Sequence, residues 1–306
     1  MLRNQAKENP KRIVFPEPSD ERVLEAVEYI RKEKIAQPLL LTQDNIEPEK
    51  QEEFANFFYE KKQIKGVTFE EARELMENPL YYGATLVRLG YADGFVAGAT
   101  FTTSSVIRAA LQCLELDKSF GLISSCFVME VPNCQYGENG ILVYADCGVI
   151  PYPTSEQLAK IAISTAQFTK HVLKFEPRVA LLSFSTAGSA EGRWIEKVRE
   201  AVTLAKSKTN EFLIEGEYQG DAALVPEVAE IKIKGSEVAG KANVLIFPNL
   251  DAGNICYKLT ERLARAKAIG PIILGTIQPC SDLSRGCSAQ DIIDCTAITV
   301  IRAQEK

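Results

Sequence analysis

The sequence predicts an α/β protein built on parallel sheets, because short apolar runs alternate along the chain with longer segments of helical periodicity. The runs are rich in Val, Ile and Leu and are nearly continuous, as expected for strands that are covered on both faces. Repeated strand–helix–strand units favour parallel sheets with right-handed crossovers. The predicted strands are Ile13–Phe15, Pro38–Leu41, Gly94–Val96, Leu122–Met129, Ile141–Ala145, Val179–Phe184, Val244–Phe247, Ile272–Gly275 and Ala297–Ile301.

Capping boxes mark the starts of two helices. In this pattern a Ser or Thr is followed three residues later by an acidic residue or Gln, as in Thr68 with Glu71 and Thr154 with Gln157. After the second box, residues recur at the spacing of one buried helix face. That face comprises Leu158, Ile161, Ala162 and Thr165.

The composition is that of a globular protein, with 306 residues, 46% of them hydrophobic and 25% charged. This length accommodates two domains with a well-buried core. The formal net charge of −6 argues against a general nucleic-acid binder, which must neutralise many phosphates with Lys and Arg. The first residues are polar and no run approaches the roughly 18 apolar residues of a membrane span, so we expect a cytoplasmic protein without a membrane partner.

Eight cysteines are present, but no two form a Cys-x-x-Cys pair and the single histidine is His171. A zinc site needs closely spaced thiolates or imidazoles. Most of the cysteines lie in apolar runs, where a free thiol behaves as a small hydrophobic group. We therefore expect neither a metal site nor a disulfide framework, and we interpret His171 as an ordinary helix residue.

The common nucleotide-binding signatures are absent from the sequence, which has neither a Walker A motif nor G-x-G-x-x-G between a strand and a helix. Gly188 and Gly192 follow the predicted strand Val179–Phe184, so backbone amides near them could hold an anion at a helix N-terminus. A tight strand-to-helix turn explains the same glycines equally well. The residues alone leave both interpretations open.

The segment richest in candidate chemistry is Gln278–Ile293, which follows the predicted strand Ile272–Gly275. Open α/β sheets bind ligands beyond the carboxyl ends of their strands. Arg285 could bind an oxyanion through two parallel hydrogen bonds. Asp291 could act as a general base, but Ser288 and Asp291 also fit a capping box. From the residues alone, helix capping is the better interpretation of Asp291.

The sequence Asp-Leu-Ser-Arg-Gly-Cys-Ser, at residues 282–288, resembles a signature near the C-terminus of phosphate acetyltransferases. Further blocks resemble the same family and occur in the family's order over nearly the whole chain. They cover residues 11–17, 20–24, 92–99, 102–108, 144–147, 151–157, 176–186, 220–227 and 248–254. The agreement of all these blocks together is what supports the resemblance.

The resemblance implies two three-layer αβα domains around a cleft, similar to isocitrate and isopropylmalate dehydrogenases. The first domain would comprise residues 1–119 and 272–306, and the second would comprise residues 120–271. The returning C-terminal segment would place Ser284, Arg285 and Asp291 beside the first domain, facing the cleft. A homodimer is also expected from the resemblance.

The reaction implied by the resemblance is reversible acetyl transfer between coenzyme A and phosphate in a ternary complex. Asp291 would take the thiol proton of CoA, and the thiolate would attack the carbonyl of the acyl phosphate. Ser284 would stabilise the developing oxyanion, and Arg285 with Arg108 would hold phosphate and carbonyl. CoA is a substrate here, and the chemistry requires no metal or redox cofactor.

The resemblance also assigns a wider set of residues to substrate binding. This set comprises Arg22, Lys62, Thr102, Thr103, Arg108, Ser185, Thr186 and Gly188.

The sequence departs from the family pattern at several of its usual positions. Lys62 stands where arginine is usual, Phe101 replaces His or Asn, Ala187 replaces a lysine, and the stretch at 42–53 is short. Lysine keeps the charge of arginine but loses its two-pronged hydrogen bonding, so we expect weaker binding of phosphate or CoA at Lys62.

Two alternatives to an acetyltransferase remain open. One is the same chemistry on propionyl or butyryl groups, because one methylene changes discrimination by only about 1–3 kcal/mol in an apolar pocket. The other is a non-catalytic homologue that binds acyl-CoA. Ser284, Arg285 and Asp291 favour an enzyme, whereas Lys62 and Ala187 weakly favour the binding protein.

Overall fold

Residues 2–305 are described by the structure, a computed structural model, with the side chains of Gln43 and Lys65 left out. The chain forms two units. Unit 1 comprises the described residues up to Lys118 together with those from Thr276 onward, and unit 2 is Ser119–Gly275. The resemblance predicts the boundaries after residues 119 and 271.

Unit 1 is built mainly from the first part of the chain. Its elements there are α1 (Leu2–Lys7), β1 (Arg12–Phe15), α2 (Glu21–Lys32), β2 (Gln37–Leu40), α3 (Pro48–Lys62), α4 (Phe69–Glu77), α5 (Pro79–Arg88), β3 (Gly94–Ala97) and α6 (Thr103–Cys113). Short 3₁₀ turns at Gln43–Asn45 and Gln63–Lys65 flank α3.

Unit 2 follows without interruption. Its elements are β4 (Ser124–Glu130), the short α7 (Tyr136–Asn139), β5 (Ile141–Ala145), α8 (Ser155–His171), β6 (Arg178–Leu182), α9 (Arg193–Lys208), β7 (Leu213–Tyr218), α10 (Gly220–Leu224), α11 (Pro226–Lys232), β8 (Val244–Ile246), α12 (Leu250–Leu263) and β9 (Lys267–Leu274). The chain then returns to unit 1 as β10 (Cys280–Asp282) and α13 (Ala289–Gln304).

The strands of unit 1 run in the order β2-β1-β3-β10, and every described pairing is parallel. Helices α1, α2 and α13 pack together, and α13 also contacts β1, β3 and β10. Helices α3 to α6 pack in series, and α5 contacts β1 and β3. The sheet is thus covered by helices on both faces, which explains why β1 and β3 are apolar without alternation.

The strands of unit 2 run in the order β9-β4-β5-β8-β6-β7. Strand β4 pairs antiparallel with β5 and β9, whereas β5, β8, β6 and β7 are parallel neighbours. Helices α8 and α9 pack together and contact the parallel strands. A core that includes Leu142, Leu245 and the stacked rings of Phe127 and Tyr257, 4.1 Å apart, joins the sheet to α12. The predicted α/β class is confirmed in both units.

One predicted strand is wrong: Ala297–Ile301 lies in the middle of α13. Its apolar side chains are all fully buried, because α13 packs against the sheet and against α1 and α2. A helix that is apolar on nearly every side resembles a buried strand in periodicity, and only its length separates the two. The capping box at Ser288 was the better signal for this segment.

Two strands of the structure escape the sequence prediction. Strand β10 is polar, with the sequence Cys-Ser-Asp, yet Cys280, Ser281 and Asp282 are all fully buried. Strand β7 combines glutamates with Gly216, a composition that strands disfavour. The other predicted strands each coincide with an observed one, shifted by a few residues at their ends.

Both predicted capping boxes are confirmed. The Thr68 hydroxyl accepts the Glu71 amide at 3.2 Å, and the Thr154 hydroxyl accepts the Gln157 amide at 3.2 Å. The helix after Thr154 buries the predicted face completely, since Leu158, Ile161, Ala162 and Thr165 have no exposed area. Among residues 2–305, no helix is both long and apolar enough to cross a membrane.

Replacement of Thr154 by Ala is expected to lower the free energy of unfolding by about 1 kcal/mol, because the first turn of α8 loses its side-chain cap. Urea unfolding followed by circular dichroism measures this change. Thr154→Ser keeps the hydroxyl and should stay within a few tenths of a kcal/mol of the parent. Equal losses in the two variants would contradict the capping role.

Candidate active site

Three loops of unit 1 leave the carboxyl ends of parallel strands and therefore emerge at one edge of the sheet. They follow β1, β3 and β10, and the β3–β10 pairing aligns Asp282 with Ala97. This edge is where open α/β sheets bind ligands. The loop after β3 leads to Thr102 and Thr103, and the loop after β10 carries Ser284 and Arg285.

A buried carboxylate fixes the loop after β3. Glu17, 5% exposed, accepts the backbone amides of Gly98 at 2.9 Å, Ala99 at 3.1 Å, Thr100 at 2.6 Å and Phe101 at 3.0 Å. The Thr100 hydroxyl donates a fifth hydrogen bond to it at 2.8 Å. The loop that begins α6 is therefore shaped from inside by the protein's own anion. Phe101, one of the departures from the family, contributes its backbone to this arrangement.

Arg22 joins the three loops, because every N–H of its guanidinium has an acceptor. Two N–H groups bind the Asp20 carboxylate at 3.1 and 2.7 Å. The remaining three bind the carbonyls of Arg285 at 2.8 Å, Cys287 at 2.9 Å and Ala99 at 2.8 Å. Since a guanidinium has five N–H donors, none remains for a substrate. The predicted direct contact between Arg22 and substrate is therefore not favoured, although Arg22 does lie at the site edge.

Ser284 and Arg285 point their side chains outward from the loop after β10. Both residues are exposed, and the loop is a turn in which the Cys287 amide binds the Ser284 carbonyl at 2.9 Å. The Ser284 hydroxyl accepts the Gly286 amide at 3.3 Å, so its own proton is available to another acceptor. Within the described part of the chain, the Arg285 guanidinium makes no hydrogen bond or ion pair. The loop thus offers one hydroxyl donor and one arginine to solvent.

Asp291 is the third residue of α13 and forms the capping box that its sequence predicts. Its Oδ2 accepts the Ser288 amide and the Ser288 hydroxyl, both at 2.8 Å, and its own amide binds that hydroxyl at 3.3 Å. Its Oδ1 accepts no hydrogen bond from the described residues. The carboxylate is half-buried and can combine capping through Oδ2 with an outward-facing Oδ1. Its role as general base stays a prediction.

Lys62 and Arg108 line one cavity of unit 1, with a volume of about 1020 Å³. Lys62 is the last residue of α3, and Arg108 lies on the exposed side of α6. Their neighbours in the cavity wall include the acidic Glu71 and Glu74 and the aromatic Tyr81. The structure therefore brings together two of the predicted binding residues that are 46 positions apart in sequence. A cavity of this size accommodates a cofactor-sized molecule.

The N-terminus of α6 is where Thr102 and Thr103 lie. Thr102 is the N-cap, and its hydroxyl accepts the Ser105 amide at 3.2 Å. The hydroxyls of Ser104 and Ser105 lie 2.9 Å from the same oxygen. A helix N-terminus lined with hydroxyls is compatible with an anionic ligand. The substrate contacts of Thr102 and Thr103 stay a prediction.

In unit 2, the loop after β6 surrounds a carboxylate of the protein itself. Glu217 accepts the Ser185 hydroxyl at 2.8 Å, the Gly188 amide at 3.1 Å and two N–H groups of Arg199 at 2.9 Å. Burial alone would raise the pKa of Glu217, but the Arg199 guanidinium and these hydrogen bonds lower it to about 2. Glu217 thus occupies the place that an anionic ligand would take at this loop.

The remaining polar groups of this loop are also engaged internally. The Ala190 amide binds the Ser185 hydroxyl at 3.2 Å. The Thr186 hydroxyl donates to Gln219 at 3.1 Å and accepts the Gln219 amide at 2.9 Å. Both hydroxyl protons are therefore already donated to acceptors within the protein. A direct phosphate contact by Ser185, Thr186 or Gly188 stays a prediction, which these hydrogen bonds do not favour.

Sequence reasoning missed the buried acids that shape these loops, namely Glu17, Glu217 and Asp282. Glu17 and Asp282 stand inside blocks that resemble the family, at the last position of one block and the first of another. Membership of these blocks was the available signal. Glu217 lies in β7, which had no recognisable strand pattern, so nothing in the sequence pointed to it.

Comparison with known proteins places this arrangement in a family. The sequence matches the phosphate acetyl/butaryl transferase family over residues 1–300. A phosphate acetyltransferase of Acetivibrio thermocellus is 49% identical over 98% of this chain and 96% of the relative. A phosphotransacetylase of Streptococcus pyogenes superposes with a TM-score of 0.93 at 36% identity, covering 100% of this chain and 97% of that one.

A second solved structure agrees with the first. A phosphotransacetylase of Staphylococcus aureus superposes with a TM-score of 0.87 at 37% identity, covering 99% of this chain and 98% of that one. The match extends over the returning C-terminal segment, which carries Ser284 and Arg285. This chain belongs to the phosphate acetyl/butaryl transferase family.

Proposed function

We propose that the chain is a phosphate acetyltransferase, which converts acetyl-CoA and phosphate reversibly into acetyl phosphate and CoA. The observation that carries the proposal is the loop after β10, which presents the Ser284 hydroxyl and the unengaged Arg285 guanidinium side by side at the ligand-binding edge of unit 1. The 49% identity to a phosphate acetyltransferase over nearly the whole chain supports the same conclusion.

In the direction of thioester formation, Asp291 acts as the general base. Its carboxylate takes the proton of the CoA thiol, and the sulfur forms a bond to the carbonyl carbon of acetyl phosphate. The bond from that carbon to the bridging oxygen then breaks, and phosphate leaves with the electron pair. The proton on Asp291 passes to the released phosphate or to solvent, which restores the carboxylate.

The charge that develops on the carbonyl oxygen is stabilised by the Ser284 hydroxyl. Its oxygen already accepts the Gly286 amide, which orients the O–H outward. Arg285 binds the phosphoryl oxygens, for which a guanidinium is suited by shape and charge. Because the loop is anchored from below by Arg22, these two groups are positioned before substrate binds.

The cavity lined by Lys62 and Arg108 is the proposed binding place for CoA. CoA is a long polyanion, and a cavity of about 1020 Å³ with two basic residues offers both volume and charge. Glu71 and Glu74 on the same wall limit its positive potential. Lys62 supplies charge without the two parallel hydrogen bonds that an arginine would make.

We further propose that the protein works as a cytoplasmic homodimer with CoA as a substrate and without a metal or redox cofactor. The surface of α12 offers an apolar stripe for a second copy, since Ile255, Leu259 and Leu263 are 58%, 53% and 81% exposed. Charges of both signs flank it at Glu261 and Arg262, as suits contact between identical surfaces. Light scattering in solution tests the stoichiometry.

The alternatives are an acyltransferase for propionyl or butyryl groups and a non-catalytic acyl-CoA-binding protein. A single assay separates them from the acetyltransferase: formation of thioester from CoA with acetyl, propionyl or butyryl phosphate. The best acyl phosphate identifies the substrate. Measurable CoA binding without turnover of any of the three acyl phosphates would overturn the enzyme hypothesis and favour the acyl-CoA-binding protein.

Asp291→Asn is expected to lower kcat by about 10²–10⁴-fold, because the amide cannot accept the thiol proton. The matched control is Ser288→Ala, which removes the cap but keeps the carboxylate. This control should cost about 1 kcal/mol of stability and leave kcat within a few-fold of the parent. If the two variants lost activity equally, Asp291 would be a cap and not a base.

Lys62→Ala is expected to raise the KM for CoA by about tenfold or more, since a hydrogen bond to a charged group contributes about 1.5–3 kcal/mol. The neighbouring Lys61→Ala removes the same charge from a residue outside the cavity wall and should leave KM nearly unchanged. Lys62→Arg should lower KM through its additional hydrogen bond. An unchanged KM in Lys62→Ala, measured at low ionic strength, would contradict the assignment of the cavity.

Arg22→Lys is expected to lower kcat by about 10²-fold with little change in KM, because lysine cannot hold three carbonyls and a carboxylate together. The control is Arg12→Lys at the opposite end of β1, where Arg12 similarly binds Asp93 and the Gly90 carbonyl. That variant should keep kcat. A change in KM alone for Arg22→Lys would instead indicate direct contact with substrate.

A further inference from the structure

Asp282 is a buried acid directly beneath the catalytic loop. It is the last residue of β10 and precedes Leu283, Ser284 and Arg285. Its exposed area is zero, and neither carboxylate oxygen has a hydrogen-bond partner among the described residues. A buried polar group in this condition costs free energy and requires an explanation.

Packing holds the Asp282 carboxyl in place against the backbone of the neighbouring loop. Gly98 has a φ of +114°, and a Cβ at that position would lie 2.4 Å from Oδ1 of Asp282. The carboxyl thus fills the space that a side chain at residue 98 would need. Leu283 is fixed at the same point, because its amide donates to the Ala97 carbonyl at 2.7 Å.

The surroundings of Asp282 disfavour a negative charge. Burial, the main cause, and the nearby Glu17 together raise its pKa to about 7. The Thr103 hydroxyl and the Leu283 amide lie near the carboxyl and lower its pKa in part, but neither forms a hydrogen bond of normal geometry with it. Cys280 also faces the carboxyl, but burial raises the pKa of this thiol to about 12, so it carries no charge. Glu17 is therefore the charged group that faces Asp282, and it has the same sign.

We propose that Asp282 is a positioning residue that keeps the catalytic loop in place in its protonated form, and that loss of this proton disorders the loop and lowers activity. The proposal rests on the acetyltransferase function proposed above. An ionised Asp282 needs hydrogen-bond donors, and the nearest are the Leu283 amide and the Thr103 hydroxyl. The first anchors the Ser284–Arg285 turn to β3, and the second belongs to the first turn of α6.

Repulsion between Glu17 and an ionised Asp282 would also displace the catalytic loop. Glu17 accepts its five hydrogen bonds as a carboxylate, and it cannot move without releasing the loop after β3. If Asp282 ionises, the repulsion between the two buried carboxylates is relieved only when the loop after β10 shifts. Both loops carry predicted substrate contacts, so a displacement of about 1 Å would be enough to reduce the rate.

The test is the pH profile of kcat in the wild type and in Asp282→Asn, a variant that is neutral at every pH. In the wild type, kcat should fall with rising pH through a step with an apparent pKa near 7. Asp282→Asn should match the wild type at pH about 6 and lack this step. The same step in both proteins, or an inactive but folded Asp282→Asn, would overturn the proposal.

A second measurement is independent of turnover. The folded protein holds the Asp282 proton more tightly than the unfolded chain, whose Asp pKa is about 4, so the wild type should lose stability as pH rises from about 4 to about 7. Asp282→Asn should therefore gain in melting temperature relative to the wild type over this range and keep that gain above it. A difference in melting temperature that does not change with pH would overturn the proposed ionisation of Asp282. If the wild type shows no turnover, the proposed function fails, and this series still decides the ionisation.

A third measurement covers the case that Asp282→Asn does not fold. Wild-type protein labelled with ¹³C at the Asp carboxyl carbons should show a resonance with a midpoint near 7, and this resonance should persist in Asp146→Asn, which removes the other buried Asp with a raised pKa. Its absence from both spectra would overturn the proposal.

Discussion

The candidate active site depends on one saturated guanidinium. Arg22 binds the carboxylate of its own helix cap and the carbonyls of two loops that are far apart in sequence. Charge-assisted hydrogen bonds to carbonyls are strong and directional, so the two loops are fixed relative to each other. Glu17 fixes the loop after β3 from the other side, because its carboxylate accepts five hydrogen bonds from that loop. The backbone that carries Ser284 and Arg285 is therefore anchored, although both residues are exposed to solvent.

Both units shape loops by the same means, an internal carboxylate that accepts several hydrogen bonds. In unit 2, Asp146 accepts the amides of Gly148, Val149 and Ile150, and Glu217 holds the loop after β6. Such loops are shaped before any ligand arrives. The consequence for sequence interpretation is that hydroxyls and amides beside a glycine-rich turn can serve an internal anion as well as an external one.

The sequence predicted the fold class and most strands because buried parallel strands have a strong apolar signal. It failed for Ala297–Ile301, since a helix buried on every side has the same composition. It also failed for β10, since Ser281 is buried against Thr299 of α13 and Asp282 is buried against the loop after β3. The pairing of Ser288 with Asp291 was predicted from spacing. The engagement of Arg22 was not, because the carbonyls it binds are defined by the tertiary fold alone.

The division of the chain between the two units also constrains the order of folding. Unit 2 is continuous in sequence, whereas unit 1 requires β10 and α13, which are synthesised after all of unit 2. Helix α13 supplies much of the buried apolar surface of unit 1. On the ribosome, unit 2 can fold as soon as its own residues emerge, while the earlier part of unit 1 must wait with an uncovered sheet. During this interval that sheet is open to chaperones and to misassociation with other nascent chains.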